Sequence, residues 1–489
     1  MKDFITEVRL TKVFGYQSIR LTLKKGLNII YGKNGTGKTT LLHFIVNLLE
    51  VDLRRFLEIK FQTASLKTNE GNKIILIQKR LDETRDVVIK VLLNGTNIGV
   101  ISTNSLDLHT LLKMEEEVRK VFKEAPLYLP AYRSVIEGAY TSIRKRSSLD
   151  WDGTEFANIE MREWEKIRAI TGSKMVSGYQ RDKAKMVAYK TMLCRSWFGQ
   201  FIPIVRYPGL DEISMQIRQE LNSARSIIAE TDQKNISNVF IKVLETILSN
   251  NKEIILDDTS ELIKEFKIQL DDIQSNEHSY DIYQQLNTLL NNDNLILRDS
   301  NSEILIKGIL KIYNIALLER KKIKEKAYTI IENFTKSLNE NFLENKSIEY
   351  NPLMTQPGSG VYIRLYDEKK SKTNFSILSS GERHILSLIF CATHMSNLDG
   401  ILIIDEPELS LHVDWQRIIL TEIIKQTGDR QIIVCTHSPE IAADHDDCFI
   451  SIISEENIDD MILANDDFEL MDLTPSLFNA IESEDLQNE

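Results

Sequence analysis

The chain has 489 residues, 42% of them hydrophobic and 27% charged, which is enough for two or three domains and excludes global disorder. No apolar run approaches the ~18 residues of a membrane span. No apolar signal segment follows Met1-Lys2-Asp3-Phe4, and Cys194, Cys391, Cys435 and Cys448 form no close pair, so a disulfide framework or structural zinc site is not expected and a cytoplasmic protein is. The net charge of −12 belongs to one end: from Ile441 to Glu489 there are 15 acidic and no basic residues, leaving 60 basic against 57 acidic ahead of it, so the overall charge does not exclude nucleic acid.

Residues 1–135 read as strand-rich. Val8-Arg9-Leu10 and Ile19 to Leu23 alternate apolar and polar, and Leu27 to Tyr31 leads into glycines and a helix carrying Leu41, Leu42, Ile45, Leu48 and Leu49. Ile74 to Ile77 and Val87 to Leu93 are strands, the latter joined to Ile98–Ile101 by an Asn94-Gly95 hairpin turn. Residues 136–347 are helical: Ile213, Ile217, Leu221, Ala224 and Ile228 share one face, as do Leu262, Phe266, Leu270 and Ile273. Ile304 to Phe342 contains no proline; as one helix it would span about 60 Å, and its heptads are too loose for a long coiled coil, so a helical insertion or short paired arm is expected. Strands return over 348–445, at Val361–Leu365, Ile401–Ile404 and Gln431–Cys435, and 446–489 reads as an acidic tail. Neither strand-rich end holds a complete chemical site, so the two are expected to form one domain with the helical region inserted.

Gly32-Lys33-Asn34-Gly35-Thr36-Gly37-Lys38-Thr39, followed by Thr40, fits G-x-x-x-x-G-K-[ST] between a strand and a helix. Such glycines let backbone N–H groups converge on phosphate oxygens; Lys38 reaches the β- and γ-phosphates and the Thr39 hydroxyl ligates Mg²⁺. Ile401 to Ile404 drives Asp405 and Glu406 to the C-terminal end of a buried strand, where Asp405 is placed for the Mg²⁺ shell and Glu406 as general base toward water. Leu378-Ser379-Ser380-Gly381-Glu382 starts a helix; one serine is its N-cap, or serine hydroxyl and glycine N–H form a second phosphate cradle. His437 ends the last strong strand, as a γ-phosphate ligand or a solvated loop residue. His384 and His394, ten apart on the helix that follows Gly381, suit core or surface roles rather than metal.

Together these motifs resemble the nucleotide-binding head of ABC-type ATPases, in the branch of structural-maintenance (SMC), RecF-type, Rad50-type and overcoming-lysogenization-defect proteins. The carrying residues are the G-x-N-G-x-G-K form with Asn34, the L-S-S-G-E signature, and Glu406-Pro407-Glu408-Leu409-Ser410-Leu411-His412. The resemblance implies an α/β P-loop NTPase head, a mixed sheet plus an antiparallel β subdomain, with a large inserted α-helical domain or short coiled-coil arm. It implies ATP and Mg²⁺, a homo-oligomer of paired heads, Lys38, Thr39, Asp405, Glu406 and His437 on one protomer, and Ser379, Ser380, Gly381, Glu382 and Ser410 reaching the site of a second. Tyr128-Leu129-Pro130-Ala131-Tyr132-Arg133 resembles a segment near the nucleotide-sensing loop of some members, without that loop's usual glutamine.

Overcoming-lysogenization-defect nucleases continue past the histidine into a Toprim domain, for which the 52 residues after His437 are too few. The expectation is therefore a switch or sensor whose effector, a Toprim-like or HNH-type toxin nuclease, is a separate protein encoded nearby, as in two-gene anti-phage systems of the PARIS and Septu types. The alternative is a RecF- or Rad50-like repair ATPase that clamps DNA. Arg144-Lys145-Arg146 and the run Arg320, Lys321, Lys322, Lys324 and Lys326 are solvated faces, a nucleic-acid groove, or a surface for an acidic phage protein or partner.

Overall fold

The computed structural model describes residues 4–33, 35–80, 86–104, 107–123, 125–132, 136, 178–248, 264–265, 268, 300–351, 360–394 and 400–454. In chain order the elements are β1 (Ile5–Val13), β2 (Gln17–Thr22), β3 (Leu27–Tyr31), α1 (Lys38–Leu49), β4 (Thr63–Thr68), β5 (Lys73–Arg80), β6 (Val87–Leu93), β7 (Thr96–Ser102), α2 (Leu108–Val121) and β8 (Leu127–Leu129). The long helices α3 (Gly178–Phe198), α4 (Leu210–Leu248) and α5 (Ser300–Asn341) follow. The chain then forms β9 (Lys346–Tyr350), β10 (Val361–Leu365), β11 (Lys372–Thr373), α6 (Ser380–His394), β12 (Leu402–Asp405), α7 (Val413–Thr427), β13 (Ile432–Thr436), β14 (Phe449–Ser451) and β15 (Ile453–Ser454).

A five-stranded sheet ordered β14-β3-β13-β12-β8, parallel at every pairing, draws its strands from both ends of the sequence. Parallel strands are buried on both faces, which is why 401–404 is apolar at every position. Ile29, Leu402, Ile404, Ile432 and Val434 pack toward α6, α7 and the inserted helices. Ile30, Ile403, Ile433 and Cys435 pack toward α1 and a second sheet. That second sheet is antiparallel, ordered β15-β2-β1-β4-β5-β6-β7, and β11-β10-β9 form a third. The mixture implied by the resemblance is thus divided between sheets. Asn94 and Gly95 both have positive φ, 51° and 83°, as the two-residue turn between β6 and β7 requires.

One buried side chain ties the layers. The Gln431 amide oxygen accepts from Ile5 N at 2.9 Å, and its nitrogen donates to Ile5 O at 2.8 Å and Lys24 O at 2.9 Å.

The helices α4 and α5 run antiparallel: Arg320 meets Asp232, while Gly308, nearer the start of α5, lies against Thr246, nearer the end of α4. Ile213, Ile217, Leu221, Ala224 and Ile228 are all buried, and α5 extends for 42 residues. The face through Leu262, Phe266, Leu270 and Ile273 lies outside the described residues, as does Arg144-Lys145-Arg146.

Two expectations need correction. Arg320 does not belong to a solvated basic face: it is buried and donates to both Asp232 oxygens at 2.6 and 3.2 Å, while Lys321, Lys322 and Lys326 are exposed. Nor does the tail begin at 446. Phe449–Ser451 pairs with β3 and Ile453–Ser454 with β2, because Ile450 and Ile452 pack on the core amid the acidic residues. Among the described residues no helix is long and apolar enough to cross a membrane.

Candidate nucleotide site

The loop between β3 and α1 curls through Gly35 and Gly37, with φ of 81° and 80°, conformations that cost glycine little. It is braced from outside. Gln17 of β2 donates to the Thr36 carbonyl at 2.6 Å and lies so close to Gly37 that a Cβ there would sit 2.6 Å from its amide. The Thr36 hydroxyl donates to Lys33 O at 2.9 Å. Thr39 and Thr40 open α1 directly after Lys38. Asn34 lies outside the described residues.

Lys38 is 5% exposed, and its Nζ donates to Gly32 O at 2.7 Å, Lys33 O at 3.0 Å and His437 Nδ1 at 3.2 Å. Burial lowers its pKa from the usual lysine value, opposed by Cys435 and by the carboxylates of Asp405, Glu406 and Glu408. An ammonium has no acceptor, so Nδ1 of His437 accepts and its proton sits on Nε2. That nitrogen faces Glu406 Oε1 at 3.4 Å. A chain of polar atoms therefore runs from Lys38 through His437 to Glu406.

Asp405 is buried at the end of β12, and its Oδ2 accepts from the Thr39 hydroxyl at 2.8 Å. Hydroxyl and carboxylate come from opposite ends of the chain, and two hard oxygen donors side by side suit Mg²⁺. The donor set fits the ion that the motif implies.

Glu406 begins a tight turn in the left-handed region at φ 48°, and Ser410 within it has φ 65°. Each such non-glycine conformation costs on the order of 1–3 kcal/mol and persists where surroundings impose it. Here Glu406 N donates to Cys435 O at 2.8 Å and Leu409 N to Glu406 O at 3.3 Å. His384 of α6 supports the turn through its Nδ1, 2.6 Å from Leu409 O. His394 bonds elsewhere, to Phe390 O and, at 2.9 Å, to Glu220 of α4.

Ser379 caps α6 in a reciprocal box: its N–H donates to Glu382 Oε2 at 2.8 Å, and its hydroxyl accepts from Glu382 N at 3.3 Å. Lys346 of β9 also donates to the Glu382 carboxylate, at 3.0 Å. Within one chain Glu382 thus holds the helix start, while Ser379 and Ser380 are exposed. Gly381 is buried against the Ser410 turn, where a Cβ would lie 2.6 Å from Ser410 O. The structure brings Lys38, Thr39, Asp405, Glu406 and His437 together. It sets Gly381 against Ser410 beside them, with Ser379 and Ser380 on the surface.

Behind the loop, His43 of α1 is buried, its Nε2 3.0 Å from the Tyr128 hydroxyl on β8, and burial pushes its pKa down to about 3. The Tyr132 ring packs at a tilt of 30° against Phe198 of α3 with centroids 4.7 Å apart, joining the 128–132 segment to the inserted helices. Sequence reasoning missed Gln17 as a brace and gave Glu408 no role.

A family model described as AAA ATPase domain matches residues 12–442. A curated relative, the Retron Ec83 probable ATPase of Escherichia coli, is 21% identical over 461 residues, 89% of this chain and 69% of the relative. Solved structures that resemble it include an Smc head domain with an extended coiled coil from Pyrococcus furiosus, bound to the C-terminal domain of ScpA. That match has 14% identity and a TM-score of 0.37, covering 94% of this chain and 98% of the other. A Pyrococcus yayanosii Smc head with coiled coil and joint matches at 14% identity and TM-score 0.33, over 92% and 97%. The family match spans most of the chain, from ahead of the phosphate loop to beyond His437, and the chain belongs to the AAA ATPase domain family.

Proposed function

We propose that the chain binds ATP with Mg²⁺, hydrolyses it, and uses the cycle as a conformational switch on a separate effector in anti-phage defence. The observation that carries the nucleotide reading is the 2.8 Å contact between Thr39 and Asp405, beside Lys38, Glu406 and His437. Gly35, Thr36, Gly37, Lys38, Thr39 and Thr40 are proposed to cradle the phosphates, with Asn34 in the same loop. Thr39 and Asp405 would hold the Mg²⁺, which when bound offsets phosphate charge. Lys38 would exchange its carbonyl contacts for phosphate oxygens. Glu406 would take the proton of the attacking water, and His437, its proton on Nε2 and Lys38 on its other nitrogen, would keep the base and the phosphate side aligned.

Exposed Ser379 and Ser380 at a helix start, with Gly381 and the Ser410 turn behind them, are proposed to close the site of a second copy. The closed pair is the state that ATP binds better, so binding favours it and hydrolysis releases it. The inserted helices, packed on α6 and joined to the 128–132 segment, are proposed to carry that change to a partner, a nuclease or toxin encoded nearby. The retron ATPase relative supports the defence setting. A second reading, a DNA clamp, is favoured by the paired helices α4 and α5 of 39 and 42 residues. It predicts DNA binding that weakens steeply with salt and DNA-stimulated turnover.

The test is Glu406→Gln. It should bind ATP normally and turn over at least ~100-fold more slowly, accumulating closed pairs by light scattering. Unchanged turnover would remove Glu406 from the base role.

A further inference from the structure

Glu408 stands two residues beyond Glu406 and has no part in the reading above. Its Oε1 accepts from the backbone N–H groups of His437 at 2.7 Å and Ser438 at 3.1 Å. Its Oε2 is buried with no hydrogen-bond partner among the described residues. Successive N–H groups at a strand end form a concavity for anions. A side-chain carboxylate fills this one, so a phosphate bound nearby would meet the His437 ring rather than its backbone.

The loop is pinned from its other side, where the Ser438 hydroxyl donates to Gln416 of α7 at 2.6 Å. Glu408 is itself fixed, because Leu411 N donates to its carbonyl at 3.0 Å within the turn that begins at Glu406. One turn therefore carries both the base and the clamp on the histidine.

We infer that Glu408 is a positioning residue for ATP hydrolysis. Its carboxylate holds the His437 backbone so that the imidazole lies between Lys38 and Glu406. The inference rests on the nucleotide-site reading and adds a residue to it.

The test measures ATP turnover and, separately, ATP binding and melting for Glu408→Ala, Glu408→Gln, His437→Ala and the Glu408→Ala/His437→Ala pair. In Glu408→Ala, kcat should fall about 10- to 100-fold, as expected for sub-ångström misplacement, with the ATP Kd within about two-fold of wild type. Glu408→Gln keeps an oxygen for both N–H groups and should recover kcat to within about three-fold. Added to His437→Ala, Glu408→Ala should cost less than about two-fold more, because the residues act as a unit. Wild-type turnover in Glu408→Ala, loss of ATP binding along with turnover, or full additivity would each overturn the inference. If the alanine variant does not fold, Glu408→Gln decides: near-normal kcat supports the clamp, and a loss of about ten-fold or more refutes it. Lys38→Ala separates the two levels. Retained ATP binding there defeats the nucleotide reading itself, whereas lost binding there beside a wild-type Glu408→Ala defeats only the clamp.

Discussion

Gly381→Ala probes the contact between the start of α6 and the turn that runs from Glu406 to Ser410. The new Cβ would lie 2.6 Å from the Ser410 carbonyl oxygen and 3.2 Å from the Trp415 ring. A comfortable approach is ~3.5 Å, so roughly 0.9 Å must be found. The Ser410 oxygen is backbone, in a residue already at φ 65°, and cannot swing aside as a flexible side chain would. Overpacking of this kind costs about 1–3 kcal/mol. Unfolding entropy for 489 residues is about 1 kcal/mol/K, so Tm should fall by only about 1–3 °C.

Activity should suffer more than stability. The displaced turn carries Glu406, and a shift approaching 1 Å costs up to ~10²-fold, so kcat should drop about 10- to 100-fold with ATP still bound. Turnover, equilibrium ATP binding and a melting curve on the same preparation check this. Light scattering with ATP follows the proposed pairing of heads in wild type and variant, which separates a displaced turn from a blocked interface. Wild-type turnover and melting would refute the tight contact on which the reasoning stands.

Lys38→Ala should abolish ATP binding, and measurable affinity near wild type in equilibrium dialysis would contradict the phosphate-loop reading. Ser379→Arg should leave ATP binding intact but prevent pairing and reduce turnover; normal turnover independent of protein concentration would argue against a shared site. Purified alone, the protein should not cut DNA or RNA with Mg²⁺, and robust cleavage in a gel assay would overturn an effector in trans. His43 gives a pH signature: with its pKa down at about 3 against 6.5, the unfolded chain takes up a proton that the folded one refuses. Stability should therefore fall as pH drops from 6.5 toward 3, by about 1.4 kcal/mol at pH 5.5 from this group alone. Urea midpoints at pH 7.5 and 5.5 should differ accordingly and less so in His43→Gln; a slope unchanged by that substitution would refute the assignment.

The phosphate loop, the Asp405–Glu406 strand end and the Asn94-Gly95 turn were legible because each needs a contiguous set of residue types. What the sequence hid depends on residues that meet only after folding. Glu408 acts on His437 and Ser438, about thirty positions away, and Gln17 braces a carbonyl 19 positions on. Arg320 looked solvated among lysines because its partner Asp232 is 88 residues earlier. Strand β4, Thr63–Thr68, was missed because Thr, Ala, Ser and Lys give little apolar alternation, although Ala64 and Leu66 face the core. Helix α2 did carry a signal, Asp107 accepting from His109 N and Thr110 N ahead of buried Leu111, Met114 and Val118, masked by its charged residues.

The placement of β3 between β13 and β14 bears on how this protein is made. The strand that leads into the phosphate loop finds its neighbours only after some four hundred further residues have left the ribosome, and the Gln431 amide reaches Ile5 equally late. Such long-range pairing is intrinsically slow and leaves an unpaired strand edge open during synthesis, a condition that favours aggregation until the C-terminal strands emerge. A chain that ends before β13 lacks the strand lying between β3 and β12 and the His437 that follows it, so the parallel sheet and the cluster around Lys38 cannot assemble in full.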